Sequence, residues 1–288
     1  EPAEFLGLEI ERDRPNRYIR VYQTKYTTKI LDRFANGITK SAPTPWPRKV
    51  EIPSTWKDEA PIMTTENWLQ RTGSLNYLSM GTRPDITYTT NKLSEANANP
   101  TSTHAIVLER LWRYLRGTAT VGIILGGKFD PYDVSLRVYA DASFADDLAT
   151  RASTAGHVVF IGDGPIFWKS KRQTIVTTST TEAEFINLTP AGLSALWVAN
   201  LLSEAGHPQK PPVILFTDSQ NARLAVLNRN NAARTRHIDI RYKWIIYRVE
   251  KGQIHIEQIG TDQMIADGFT KPLERLKHRA FVLQLRMA

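Results

Sequence analysis

The sequence predicts an α/β protein, a mixed sheet with flanking helices, preceded by a smaller and mostly helical region. Three observations predict it. From about residue 132 the apolar residues alternate with the period of strands, most clearly in Val134-Ser135-Leu136-Arg137-Val138-Tyr139. A long helical stretch is followed by the short apolar run Val213-Ile214-Leu215-Phe216, which fits a buried strand. The resulting order of strands, helix, strand, helices, strand and helix is that of helices packed on a mixed sheet.

Each element has its own reason. Tyr18–Tyr22 alternates as a strand, and Thr24 to Phe34 places Tyr26, Ile30 and Phe34 at helical spacing with Lys25, Lys29 and Arg33 on another face. The stretch Ser41-Ala42-Pro43-Thr44-Pro45-Trp46-Pro47 is too rich in proline for a helix or central strand and reads as a linker. Helices are expected over about Thr65–Met80 and from Pro100-Thr101-Ser102 to Gly117. Arg110, Arg113 and Arg116 fall on the polar side of the second. A solvated basic face is the plainer reading of these three, and a nucleic-acid contact the sharper one.

In the second half, the first strand is expected to end at Ala140-Asp141. Gly156–Ile161 and Pro165–Lys171 flank the turn Gly162-Asp163-Gly164 as a hairpin. A helix follows from Ser179 to about Ala205, then the buried strand ending at Thr217-Asp218, and a helix over Ser219–Leu227. The basic segment Arg234–Lys251 is helical in character, Ile254–Ile259 is a strand, and helices follow, one of them starting near Met264-Ile265-Ala266-Asp267.

Composition narrows the function. With 288 residues, 41 % hydrophobic and 23 % charged, the chain is long enough for two domains and unlike a disordered one. No run of 18 or more apolar residues stands out, and Glu1-Pro2-Ala3-Glu4 lacks the features of a signal peptide. The expectation is no membrane and an intracellular location, cytoplasmic particle and nucleus being indistinguishable. The absence of cysteine excludes disulfides, thiolate metal sites and a cysteine nucleophile. No two of the six histidines stand closer than 18 residues, so any metal must rest on carboxylates. The net charge of +8 is shared equally by the two halves and suits a partner with a phosphate backbone.

Two strands deliver Asp141 and Asp218 where the chain leaves the sheet, the helix from Ser179 carries Glu182 and Glu184, and Asp267 adds one more acid. Gathering four carboxylates is costly unless cations neutralise them, because like charges repel. Two Mg²⁺ ions, with Mn²⁺ as substitute, meet that need and suit phosphoryl chemistry. The plainer reading is that strand-end aspartates cap the helices that follow. Glu182 and Glu184 point about 200° apart on a helix. Leu188 and Ala191 continue the stripe of Glu184, while Glu182 stands three residues after Ser179 as in a capping box.

Six strings carry a family resemblance: Tyr139-Ala140-Asp141-Ala142-Ser143, Lys169-Ser170-Lys171-Arg172-Gln173, Ser179-Thr180-Thr181-Glu182-Ala183-Glu184-Phe185, Thr217-Asp218-Ser219-Gln220-Asn221-Ala222, Arg236-His237-Ile238-Asp239-Ile240-Arg241 and Ala266-Asp267-Gly268-Phe269-Thr270-Lys271-Pro272-Leu273. In order and spacing they resemble the ribonuclease H domain of copia-type LTR-retrotransposon reverse transcriptases. Phe5-Leu6-Gly7-Leu8-Glu9-Ile10, Gly73-Ser74-Leu75-Asn76-Tyr77-Leu78, Thr82-Arg83-Pro84-Asp85-Ile86 and Arg113-Tyr114-Leu115-Arg116-Gly117-Thr118 resemble the part of the polyprotein just before it.

The resemblance implies residues 1–128 as a palm-edge remnant plus thumb and connection, and 129–288 as a ribonuclease H domain. It implies Asp141, Glu184, Asp218 and Asp267 as catalytic metal-binding acids, and Lys169, Lys171, Arg172, Arg236 and Arg241 as phosphate contacts. The implied reaction is hydrolysis of the RNA strand of an RNA–DNA hybrid, leaving a 3′-hydroxyl and a 5′-phosphate. The implied partners are the hybrid and the upstream polymerase palm of the parent polyprotein; the oligomeric state stays open. The pair Asp146-Asp147 imitates a polymerase motif, yet it follows Asp141 in a loop, so no polymerase site is expected. One departure is that Gln258–Gln263 lacks the loop histidine usual in cellular ribonucleases H, for which His237 and His255 are weak substitutes. The alternative is a catalytically silent or domesticated fragment that binds nucleic acid or protein.

Overall fold

The computed structural model describes residues 3–52, 60–127, 135–147, 150–227 and 239–288. The chain forms two compact units, one of residues 1–127, 147–149 and 271–288 and the other of 128–146 and 150–270.

In the first unit, β1 (Glu4–Phe5), β2 (Leu8–Asp13), β3 (Tyr18–Tyr22) and β4 (Ile123–Gly126) form an antiparallel sheet in that order. Only β3 is legible from alternation. β2 and β4 are held as its neighbours, Ile10 opposite Val21 and Leu125 opposite Ile19. Helices α1 (Thr24–Phe34), α2 (Thr65–Gly81), α3 (Thr87–Glu95) and α4 (Ser102–Gly117) share a core that includes Trp68, Leu75, Leu78, Leu111 and Leu115.

The proline-rich stretch corrects two expectations. It is not a free linker, since Ala42, Thr44 and Trp46 are buried. Nor is the polar side of α4 wholly a solvated face, for of its three arginines only Arg113, paired with Glu109 at 2.5 Å, has an exposed side chain. Arg110 donates to the Thr44 carbonyl at 2.9 Å, Arg116 donates to the Ala35 carbonyl at 3.1 Å, and the Ala42 amide donates to the Arg113 carbonyl at 3.1 Å. Proline removes backbone donors that a strand or helix would use, and Arg110 satisfies a carbonyl of the stretch left over.

The C-terminus departs from a simple division at 128. Residues 271–288, with α8 (Arg275–Gln284), pack within the first unit. Ile124 and Gly122 donate to the Arg286 and Ala288 carbonyls at 2.9 Å each, and the edge of His278 meets Tyr114 at 5.2 Å.

The second unit is the mixed sheet with flanking helices that the sequence predicts. Its strands are β5 (Leu136–Ser143), β6 (Thr154–Ile161), β7 (Gly164–Arg172), β8 (Val213–Thr217) and β9 (Ile254–Gln258). Their order is β7-β6-β5-β8-β9, antiparallel on the β6 side of β5 and parallel on the β8 side. The helices are α5 (Thr180–Glu204), α6 (Gln220–Leu227) and α7 (Asp239–Glu250). Val138, Ala140 and Leu215 of the sheet pack with Leu188 and Ala191 of α5. By length and apolarity α5 would pass for a membrane span, which corrects the reading that no run qualifies, but it is the core helix of this unit. The start expected at Met264 is a short 3₁₀ turn over Ile265–Phe269 rather than an α-helix.

Candidate active site

β5 runs two residues beyond its expected end, through Asp141 to Ser143. Its parallel pairing with β8 closes at Tyr139 opposite Phe216. Two residues further along the chain in each case lie Asp141, still within β5, and Asp218, the first residue past β8, so the register delivers both carboxylates to one level of the sheet. Glu184 arrives from α5, whose buried Ala183, Leu188 and Ala191 fix the rotation of the helix. One carboxylate oxygen from each of Asp141, Glu184 and Asp218 lies within 4.8 Å of the others.

This cluster is electrostatically expensive. Asp141 and Glu184 are 3 % and 5 % exposed. Glu184 takes a hydrogen bond from the Ala142 backbone, but its Oε2 is buried with no partner. Burial first, then the charges of Asp141 and Asp218, push its carboxyl up to about 10, so at neutral pH it holds a proton.

The capping explanation for the aspartates fails on geometry. Ser219, not Asp218, accepts the Ala222 amide of α6, at 3.2 Å. Among the described residues Asp218 accepts an exposed hydrogen bond from Thr261, at 3.1 Å, and Asp141 lies inside a strand with no helix to cap. Three clustered hard-oxygen donors, one of them a buried atom lacking a partner, fit a hard divalent cation such as Mg²⁺ or Mn²⁺.

Two supports were not legible in the sequence. Asn187, one turn after Glu184, donates from Nδ2 to the carbonyls of Asp141 at 2.7 Å and Gly156 at 2.8 Å, tying α5 to both strands beside the acids. Thr270, fully buried, donates its hydroxyl to Asp141 Oδ2. Gly156 makes that contact possible. It stands opposite Asp141 in the ladder, and a Cβ there would lie 2.6 Å from Phe269 Cβ and 2.8 Å from Thr270 Cγ2. Neither support has a period or spacing that would announce it, because each acts across elements distant in sequence.

The remaining candidates divide. Asp267 is buried in the turn before Thr270 and does not join the three-carboxylate cluster. Lys169 and Lys171 alternate with buried Ser170 on β7 and, with Arg172, are exposed. Arg236 and the side chain of Arg241 lie outside the described residues. Glu182 is spent on the start of α5, its Oε2 accepting the Thr178 amide at 2.6 Å and the Thr178 hydroxyl at 2.8 Å. Asp146 accepts from Thr154 at 2.7 Å.

No family model matches the chain. It is 35 % identical over 281 residues to the retrovirus-related Pol polyprotein from transposon TNT 1-94 of Nicotiana tabacum, covering 96 % of this chain and 21 % of that protein. It is 32 % identical over 277 residues to the one from transposon RE2 of Arabidopsis thaliana, covering 96 % and 18 %. The chain thus spans about a fifth of the length of these relatives. Among solved structures, the LC11 ribonuclease H1 isolated from compost by a metagenomic approach aligns with a TM-score of 0.36 at 15 % identity, over 48 % of this chain and 93 % of that one.

Proposed function

The chain is a homologue of the Pol polyproteins of plant retrotransposons, and from that premise we propose that its second unit is a copia-type ribonuclease H that hydrolyses the RNA strand of RNA–DNA hybrids. The observation that carries the reading is the cluster of Asp141, Glu184 and Asp218 with its partnerless Glu184 Oε2. In this reading these three residues hold the divalent ions, and Asp267 completes the set from the neighbouring turn. Bound Mg²⁺ or Mn²⁺, as a two-ion centre, supplies Lewis-acid polarisation of the phosphodiester and neutralises the gathered carboxylates.

The chain's own residues do the rest. Asn187 fixes the backbone that carries Asp141, and Thr270 fixes the direction of the Asp141 carboxylate. Lys169, Lys171 and Arg172, with Arg236 and Arg241, contact phosphates and position the duplex without reading its sequence. Selection for the hybrid comes from 2′-hydroxyl and groove-shape contacts. The first unit is the palm-edge, thumb and connection portion that meets the polymerase palm of the parent polyprotein.

The test is cleavage of a labelled RNA–DNA hybrid with Mg²⁺ and with EDTA. RNA should be cut only with the metal, and double-stranded DNA of the same sequence should survive. Cleavage in EDTA, or equal cutting of duplex DNA, would overturn the reading.

A further inference from the structure

The segment that follows β9 runs from one aspartate of the cluster to the other and is anchored at both ends. At its start the Ile259 amide donates to the Thr217 carbonyl at 3.0 Å, which ties it to the residue before Asp218. At its end Phe269 and Thr270 lie against Gly156, the residue opposite Asp141 in the ladder. Between the anchors the chain makes a 3₁₀ turn over Thr261–Gln263, with the Gln263 amide donating to the Gly260 carbonyl at 2.9 Å. From Met264 through Thr270 it is buried.

Each anchor brings a threonine hydroxyl onto an aspartate of the cluster. Thr261 donates to Asp218 Oδ2 at 3.1 Å, and Thr270 donates to Asp141 Oδ2. The two bonds differ in setting, because Thr270 is fully buried whereas Thr261 and its bond are exposed. Asp141 is thus held by the core of the unit. Asp218 is held by a surface turn whose side chain can be changed without opening the core.

A hydroxyl that donates to a metal-binding carboxylate does two things. It fixes the direction of the ligand, and loss of such a partner typically costs about 10–100-fold in metal affinity or activity. It also engages one of the two carboxylate oxygens. Mg²⁺ is small, is held through one or two carboxylates and keeps several waters, whereas Ca²⁺ accepts about six to eight oxygens and readily takes both oxygens of one carboxylate. We infer, on the reading that Asp141, Glu184 and Asp218 hold the metal, that Thr261 is a positioning residue: it leaves Asp218 one free oxygen and so favours Mg²⁺ over Ca²⁺. Thr270 acts on Asp141 in the same way from within the core, so Thr261 is the member of the pair whose effect can be measured apart from folding.

The experiment is calorimetric titration of the full chain with Mg²⁺ and, separately, with Ca²⁺, for the unaltered chain, Thr261→Val and Thr261→Ser, beside hybrid cleavage over a range of Mg²⁺ concentrations. Thr261→Val keeps the branched shape and removes the hydroxyl. It should weaken Mg²⁺ binding about tenfold or more, leave Ca²⁺ binding no weaker, and raise in proportion the Mg²⁺ concentration that half-saturates cleavage. The KM for the hybrid at saturating Mg²⁺ and the melting temperature in EDTA should not move. Thr261→Ser keeps the hydroxyl and should restore the preference for Mg²⁺. A turn that had merely loosened would weaken Mg²⁺ and Ca²⁺ alike, and that result would overturn the inference. If the unaltered chain binds no Mg²⁺, the metal site fails and the role of Thr261 with it; if it binds Mg²⁺ and Thr261→Val binds it equally well, only the role of Thr261 falls.

Discussion

Each unit buries a cluster of charge, and the two clusters follow opposite logic. In the first unit Arg83 and Asp85 form a two-pronged pair at 2.9 and 2.7 Å, both side chains essentially inaccessible. Tyr114 donates to Asp85 at 2.6 Å, and Arg83 also donates to the carbonyl and hydroxyl of Thr118 at 2.7 and 2.8 Å. Burial opposes ionisation of Asp85, yet Arg83 and Tyr114 outweigh it and hold the carboxyl below its ordinary value. In the second unit the gathered charges have one sign, and the same burial drives Glu184 up to about 10. A buried network whose charges cancel and whose donors are used is complete without a ligand. A buried cluster of acids relieves its repulsion by holding a proton, as Glu184 does, or by taking a cation in the proton's place.

The largest expected effect separates chemistry from folding. Glu184→Gln should abolish hybrid cleavage, by several orders of magnitude in turnover, while raising the melting temperature in EDTA, because the fold no longer has to keep protonated a carboxyl that ionises freely on unfolding. A variant that keeps near-normal turnover would remove Glu184 from the site. Asp85→Ala should do the reverse. Stranding the Arg83 guanidinium in the interior costs about 3–5 kcal/mol, read as a lower midpoint of unfolding in urea. If the replacement is nearly neutral there, the contrast between the two clusters collapses.

Much of the second unit was legible because its pattern is local. Strand alternation around Val138, the apolar run ending at Asp218 and the Ser179 start of α5 each act within a few residues, and they place the three acids on the right elements. What stayed hidden acts across distance. β4 is four residues long and exists because β3 pairs with it. The proline-rich stretch is fixed by Arg110, 66 positions beyond the Thr44 it holds. Thr270 reaches Asp141 across 129 positions, through a close approach that only Gly156 permits. Charge, in particular, does not announce its role in a sequence. Arg110 and Arg116 read as a basic face and turn out to satisfy backbone carbonyls.

Buried histidine sharpens the comparison from another side, since burial lowers His104 and His278 in the first unit and His157 in the second. Burial depresses His104 to about 4, and burial together with Lys169 depresses His157 to about 3. A histidine kept neutral in the fold takes up a proton on unfolding once the pH drops below its ordinary value of 6.5. Its contribution is therefore full above that value and lost progressively as the pH falls towards about 3. For His157 the loss amounts to about 2 kcal/mol at pH 5. His157→Gln should flatten the decline in melting temperature between pH 7 and pH 5. An undiminished decline in that variant would place the acid sensitivity elsewhere, with His104 of the first unit the next candidate.

The smallest effect concerns Glu182, two residues from Glu184 and on a different face of α5. Its Oε2 reaches back to the amide and hydroxyl of Thr178, one residue further than the Ser179 amide a standard capping box would use, while Ser179 Oγ accepts the Glu182 amide at 3.2 Å. The reciprocal caps satisfy two backbone donors at the positive end of the helix, where a carboxylate is favoured. Gln in its place keeps an acceptor but removes the charge. Glu182→Gln should therefore lower stability by only about 0.5–1 kcal/mol and leave hybrid cleavage largely intact. Glu184→Gln, measured beside it, should lose cleavage with no loss of stability. The opposite outcome in the pair, cleavage lost at Glu182 and kept at Glu184, would mean that α5 is rotated from the orientation that puts Glu184 among the aspartates, and would take the proposed metal site with it.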